Sequence, residues 1–302
     1  MKEFEMPTMT DLLAVLKENL MLLRKLRMPS LAEWQHRFVS AAKACLFAGR
    51  GEPYRVGSKT LRFVPGTRPV RLRYQTSENM VNRYDAVQLT WLLDNLSDGD
   101  IALDVGANGG QCTIAMAERC GGAGSVIAFE PNPHARALLR RNINLNPRIK
   151  SPTVESFACS DVADGEADLY QNGNSANSGL VPFTDRNTAN DENQSFRVPV
   201  TSLDSYLSRR HLPEPRVVKI DTEGAEIRIL QGAHTLLASG AAILCELHPY
   251  AWPQFGNSFI ELKELVARYG RRMRYLDEAS EVADDAHYGI VMLERIKEAP
   301  CP

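Results

Sequence analysis

Residues 101–110 read Ile101-Ala-Leu-Asp104-Val105-Gly106-Ala107-Asn108-Gly109-Gly110, and a helical stretch follows over Gln111 to Arg119. A short apolar run closed by glycines is a buried strand that turns tightly into a helix. Ser125-Val-Ile-Ala-Phe129 is a second such run and ends in Glu130-Pro131. A helix over 132–144 and a strand over 153–158 continue the rhythm, and Cys159-Ser160-Asp161 closes that strand. The pattern returns as a strand over 217–221, a helix over 226–237, a strand over 242–246, a helix over 258–268 and late strands near 273–276 and 289–294. Such alternation predicts an α/β fold, a doubly wound, mostly parallel sheet with helices on both faces.

Outside this core, residues 80–96 have the apolar spacing of a helix, and residues 54–75 alternate as a short strand pair. Between 165 and 200 the rhythm breaks. Gly165 to Tyr170 and Phe196 to Val200 are strand-like, and a polar Asn/Ser loop over 171–179 separates them. This predicts a β-hairpin and loop insertion, a type of long loop that often serves as a lid. At the start of the chain, leucines repeat at helical spacing over 10–27, and Ser30 with Glu33 opens a second helix over about 31–48. The expected division is an N-terminal helical region, 1–50, and a main domain, 51–302. The basic N-terminal helices suit a cap or a homo-oligomer contact, with an anionic membrane surface as the alternative.

Lys and Arg total 35 against 37 Asp and Glu, a net charge of −2 that leaves no electrostatic footprint for nucleic acid. A hydrophobic content of 44% excludes a largely disordered chain. No apolar run approaches the ~18 residues of a transmembrane segment. The six cysteines form no CxxC pair, which argues against a zinc ribbon and suits a reducing compartment. The first residues lack the basic and apolar regions of a signal peptide, so a cytoplasmic location is expected.

The glycine turn after the first strand and Glu130 after the second form one constellation. A carboxylate at that strand end can accept hydrogen bonds from both hydroxyls of a ribose, which points to a nucleoside cofactor. The glycines fall at 106, 109 and 110 rather than in the GxGxxG spacing that admits a pyrophosphate. Asp104, two residues before the first glycine, suits a cationic ligand end and would repel a diphosphate.

Several stretches together resemble the FkbM-type methyltransferases, class I enzymes that use S-adenosyl-L-methionine. They are DVGANGG (104–110), FEPNP (129–133), SD (160–161), VTSLDSYL (200–207), VKIDTEGAEIRILQGA (218–233) and ELHP (246–249). The likeness runs over roughly 75–295 and leaves residues 1–50 outside it. It implies a Rossmann-like methyltransferase domain whose cofactor residues are Asp104, Gly106, Ala107, Asn108, Gly109, Glu130, Pro131, Ser160 and Asp161. Within that set Gly106 and Gly109 would line the methionine half, and Asp104 would anchor it through backbone or water. Glu130 would hold the ribose, and Asp161, with Ser160, would meet the adenine amino group.

Lys219 and Asp221 alternate with Val218 and Ile220, so they share one sheet face near the carboxyl edge. Glu223 follows in the turn, and Glu226 fits the preference of a helix N-terminus for acids. Glu246 and His248 share a face on the neighbouring strand. The expected catalytic residues are Asp221, His248, Lys219 and Glu223, and two arrangements would activate a hydroxyl. Either His248 is the general base, oriented by Asp221 or Glu246, or Asp221 and Glu246 hold Mg²⁺. The metal-free version is favoured, because Lys219 beside Asp221 weakens a metal site. The resemblance implies O-methylation of a sugar, glycan or polyketide-like small molecule, and Tyr170, His211, Tyr250 and Trp252 are, from their side chains, candidates for a stacking wall. The rival readings are a nicotinamide-dependent oxidoreductase and a catalytically idle binding or assembly protein.

Overall fold

The computed structural model describes residues 42–43, 45–56, 59–67, 80–171, 178–182, 194–277, 280–282 and 285–296. The chain divides into two units, Met1–Gly49 and Arg50–Pro302, and the second carries everything below. The helix expected over 10–27, almost all of that over 31–48 and the oligomer contact assigned to them lie outside the described residues, as does most of the Asn/Ser loop.

Two short strands, β1 (Glu52–Val56) and β2 (Lys59–Phe63), pair antiparallel. They bury Tyr54, Leu61 and Phe63 in a cluster with Leu89, Ile114 and Leu139. Helix α1 (Met80–Asn95) leads into β3 (Ile101–Val105), α2 (Gln111–Cys120), β4 (Ser125–Phe129), α3 (Pro133–Asn144) and β5 (Thr153–Glu155). Next come β6 (Ala158–Cys159), β7 (Gly165–Gln171), β8 (Ser178–Gly179), β9 (Gln194–Thr201) and α4 (Leu203–Arg209). The chain closes with β10 (Val217–Ile220), α5 (Glu226–Gln231), α6 (His234–Ala238), β11 (Ala242–Leu247), α7 (Phe259–Arg268), β12 (Arg271–Tyr275) and β13 (Gly289–Arg295).

The main sheet has seven strands in the order β12-β13-β11-β10-β3-β4-β5. Only β13 runs against the others. Apolar side chains at nearly every position of β3, β4, β10 and β11 are buried, as a sheet covered on both faces requires. From β3 the chain proceeds to β4 on one side, and β10 enters on the other. That reversal opens a crevice at the carboxyl ends of β3 and β10, the place where such sheets bind ligands.

The expected strand over 153–158 is two strands in different sheets. Thr153–Glu155 pairs parallel with β4, whereas Ala158 and Cys159 pair with Val200 and Thr201 of β9. That pairing belongs to a separate four-stranded sheet, β6-β9-β7-β8, which is the insertion foreseen over 165–200. The expected helix over 226–237 is also two, broken after Gln231. At Gly232 a Cβ would overlap the Ser160 carbonyl oxygen, and the Gly232 carbonyl accepts a hydrogen bond from the Asp204 amide at 3.1 Å. Contact between these segments therefore ends the helix.

Arg271 at the start of β12 is buried and ties the far side of the sheet together. Its guanidinium donates to the carbonyls of Leu236, Leu237, Ser239, Ala241 and Leu293 at 2.7–3.4 Å. These contacts satisfy the C-terminal carbonyls of α6, where no further helical turn supplies donors.

Candidate active site

The turn after β3 has to fold back beneath β10, and its glycines permit it. Gly106 adopts φ +77°, and a Cβ there would overlap the Asp221 carbonyl oxygen. Asn108 is also left-handed, at φ 48°, a conformation Asn tolerates better than most residues. Across the crevice Glu223 is left-handed too, at φ 54°, followed by Gly224 at φ 111°. Two of the three described non-glycine residues with positive φ thus line one cavity. Strain of this kind collects at working sites.

The residues 129–133 each have a separate task. Phe129 is in the core against Tyr206, with ring centroids 4.8 Å apart. Asn132 caps α3 by accepting from the amides of His134 and Ala135 at 2.8 and 3.3 Å, and Pro133 begins the helix. Between them Glu130 and Pro131 reach the cavity. Glu130 accepts the Asn108 amide at 2.7 Å on one oxygen and the Asn132 amide at 2.8 Å on the other. Each oxygen keeps a second lone pair. Burial pushes its carboxyl up to about 7, although those two amides, Lys219 and Arg136 pull the other way.

The cavity is lined by Gly106, Asn108, Glu130 and Pro131 on one side and by Asp221, Thr222 and Glu223 on the other. Its far end is apolar, made by Phe157, Ala158, Cys159, Leu169 and Leu180. No sequence pattern marks this end, because its residues come from β6, β7 and the chain beside β6 and β8. Among the described lining residues there are three acids and no Lys or Arg.

Four of the nine residues expected to bind cofactor do not line it, besides Asp104. Ala107 is packed in the cluster of Leu139 and Ile114, and the Gly109 carbonyl accepts from Asn142 at 2.8 Å. Ser160 donates to Asp161 at 2.7 Å, and these two residues stand beside the apolar end rather than in its wall. Asp104 is fully buried; it accepts from Thr113 at 2.6 Å and pairs with Lys219 at 3.2 Å. Its carboxylate is buried and does not line the cavity.

Lys219 lies opposite Asp104 in the β10–β3 register. Its ammonium donates to the Gly106 carbonyl at 3.0 Å and pairs with Asp221 at 3.3 Å. Burial works against its charge, but Asp104 and Asp221 outweigh burial and hold its pKa well above the ordinary value. Lys219 is therefore a fixed cation that anchors the glycine turn and Asp221, not a proton-transfer group.

His248, the expected general base, is set among carboxylates. Its Nδ1 bonds to Glu226 at 2.9 Å, while Nε2 lies 3.8 Å from Glu223 and 3.9 Å from Glu246. Burial opposes the charged ring, but Glu226, Asp221 and Glu223 raise its pKa to about 10. Protons elsewhere also balance the crowded acids. Burial, then Asp221, pushes Glu246 up to about 8, and burial raises Glu223 as well.

Glu226 is the residue that sequence reasoning passed over. It is fully buried and accepts from Trp252 Nε1 at 2.8 Å, the Gly224 amide at 2.8 Å and Thr222 at 3.4 Å, besides meeting His248. It ties the turn that carries Glu223 to the strand end that carries His248. A helix N-terminus explains an acid there without any of this, which is why the pattern did not reveal it. Trp252 is consequently buried beneath the site and is no stacking wall, and neither Tyr170 nor His211 lines the cavity. Tyr250 is 63% exposed and donates to Glu223 at 3.1 Å.

The family model for the methyltransferase FkbM domain matches residues 104–273. The chain is 29% identical over 170 residues to the hexuronic acid methyltransferase AglP of Haloferax volcanii, which covers 54% of this chain and 62% of that protein. It thus spans about three-fifths of that relative's length. Among solved structures it is similar to a methyltransferase FkbM from Methylobacillus flagellatus (14% identity, TM-score 0.43, 71% of this chain and 52% of that one). It is also similar to a SAM-dependent O-methyltransferase from Thermotoga maritima (14% identity, TM-score 0.37, 83% of this chain and 80% of that one). With more than half of its length matched by the family model, the chain belongs to the FkbM methyltransferase family.

Proposed function

We propose that this protein transfers a methyl group from S-adenosylmethionine to a hydroxyl of a sugar or glycan. The observation that carries this reading is the cavity itself, with Glu130 on one wall, Asp221 and Glu223 on the other, and no lining Lys or Arg among the described residues. The residues present fit the cofactor. A carboxylate with a spare lone pair on each oxygen suits a ribose diol, the apolar end suits an adenine face, and acidic walls suit a sulfonium. The same walls repel a dinucleotide's pyrophosphate, which disfavours a nicotinamide-dependent reaction. A relative that acts on a hexuronic acid supports a sugar acceptor.

When bound, S-adenosylmethionine supplies a methyl group activated by its positive sulfur. Glu223 would take the acceptor's hydroxyl proton while the acceptor oxygen gains the methyl group and the methyl–sulfur bond breaks, leaving S-adenosylhomocysteine. Its burial makes it a stronger base than an exposed carboxylate. Asp221, held by Lys219, orients the hydroxyl. Tyr250 donates to the Glu223 carboxylate, and His248 stands beside it.

The test is the full chain incubated with methyl-labelled S-adenosylmethionine and saccharides with and without a hexuronate. Label is expected in a saccharide fraction, with Glu223→Gln lowering the rate by roughly 10²–10⁴-fold. Binding of S-adenosylhomocysteine without labelling of any saccharide would overturn the sugar reading. An unchanged rate in the variant would remove Glu223 as the base.

A further inference from the structure

We infer that Asp221, Glu246 and His248 form a binding site for one divalent transition-metal ion, placed to hold the acceptor hydroxyl. The site is independent of the methyltransferase reading in its chemistry and rests on that reading only for its purpose. One ligand atom from each of the three residues lies within 4.8 Å of the others, which is within the span of a single coordination sphere. Two carboxylates would supply oxygen and His248 would supply nitrogen. This mixed set suits Mn²⁺ or Zn²⁺ better than an all-oxygen ion such as Ca²⁺.

A second observation is independent of that clustering. His248 is only 2% exposed, and its Nε2 makes no hydrogen bond among the described residues, its closest acids standing 3.8 and 3.9 Å away. That nitrogen is turned into the cluster because Nδ1 is fixed on the fully buried Glu226. Metal-ligating histidines show this arrangement, with one ring nitrogen on a carboxylate and the other on the ion. Tyr288 similarly donates to Glu246 Oε1 and fixes that carboxylate. Lys219 engages Asp221 at Oδ2.

Asp221 is also part of the cavity wall beside Glu223. A cation on Asp221 would therefore stand next to the proposed base. There it would lower the pKa of a coordinated hydroxyl, whose proton passes to Glu223 while its oxygen takes the methyl group and the carbon–sulfur bond breaks.

The experiment titrates the metal-stripped full chain with Mn²⁺, reading free ion by its electron paramagnetic resonance signal, with Zn²⁺ as competitor. S-adenosylhomocysteine binding is measured on the same samples. One equivalent of bound Mn²⁺ displaced by Zn²⁺ is expected. Affinity should fall more than 100-fold in Asp221→Asn/Glu246→Gln and about 10–100-fold in Glu226→Gln, which retains the three ligands. Thermal unfolding checks that each variant is folded. If the variants do not fold, single Glu246→Gln and His248→Gln chains are titrated in their place. Failure of wild type to bind either ion while S-adenosylhomocysteine binds would overturn the site and leave the methyltransferase reading standing. Metal binding without S-adenosylhomocysteine binding would do the reverse. Unchanged Mn²⁺ affinity in the folded variants would place the ion elsewhere and overturn the assignment.

Discussion

Glu130 shows how much one side chain can be asked to do. It ties the turn at Asn108 to the start of the next helix by accepting the Asn108 and Asn132 amides, and it still faces the cavity. Because burial raises its carboxyl to about 7, its charge is lost as pH falls through neutrality. A ribose diol donates to the ionised form, so cofactor affinity should be full above that range and weaken below it. Calorimetry with S-adenosylhomocysteine should show binding about tenfold weaker at pH 6 than at pH 8, since only about a tenth of the group is ionised one unit below its pKa. Glu130→Gln should bind weakly and lose this pH dependence. A flat profile in wild type would remove Glu130 from the ribose site. The position of this residue was legible in the sequence, because it stands one residue past an apolar strand. The fates of Asp104 and Lys219 were not. Each is a charge inside an apolar run, and only the lateral register of β3 and β10 makes them partners rather than ligand groups.

At the scale of elements, the strands of the parallel sheet were legible because burial on both faces leaves uninterrupted apolar runs. Boundaries decided by distant partners were not. Gly232 looks like any glycine in a helical stretch until Ser160 and Asp204 are brought against it, and residues 153–158 look like one strand until β9 claims its second half. Arg271 belongs to the same class, an arginine in a polar-looking strand that proves to close α6 and join it to β13. Arg271→Leu would leave several buried carbonyls without donors. The expected loss is about 3 kcal/mol, seen as a fall in Tm of about 6–12 °C in a thermal melt. A fall below about 2 °C would show that water or a shifted neighbour replaces the guanidinium.

At the scale of the whole molecule, sheet order determines which loops meet. Placing β10 beside β3 brings the turn of Gly106 against that of Asp221, and β11 next to β10 adds Glu246 and His248. The insertion sheet then closes the apolar end with Leu169 and Leu180. The cavity and the acids proposed to activate the acceptor thus belong to one crevice, although their residues span more than a hundred positions of sequence. A crystal structure of the full chain with S-adenosylhomocysteine tests this arrangement most directly. The account predicts the ligand at the carboxyl ends of β3 and β10, both ribose hydroxyls on Glu130, the base against Phe157 and Leu180, and the sulfur facing Asp221 and Glu223. A ligand bound elsewhere, or one in the crevice that leaves Glu130 untouched, would contradict it.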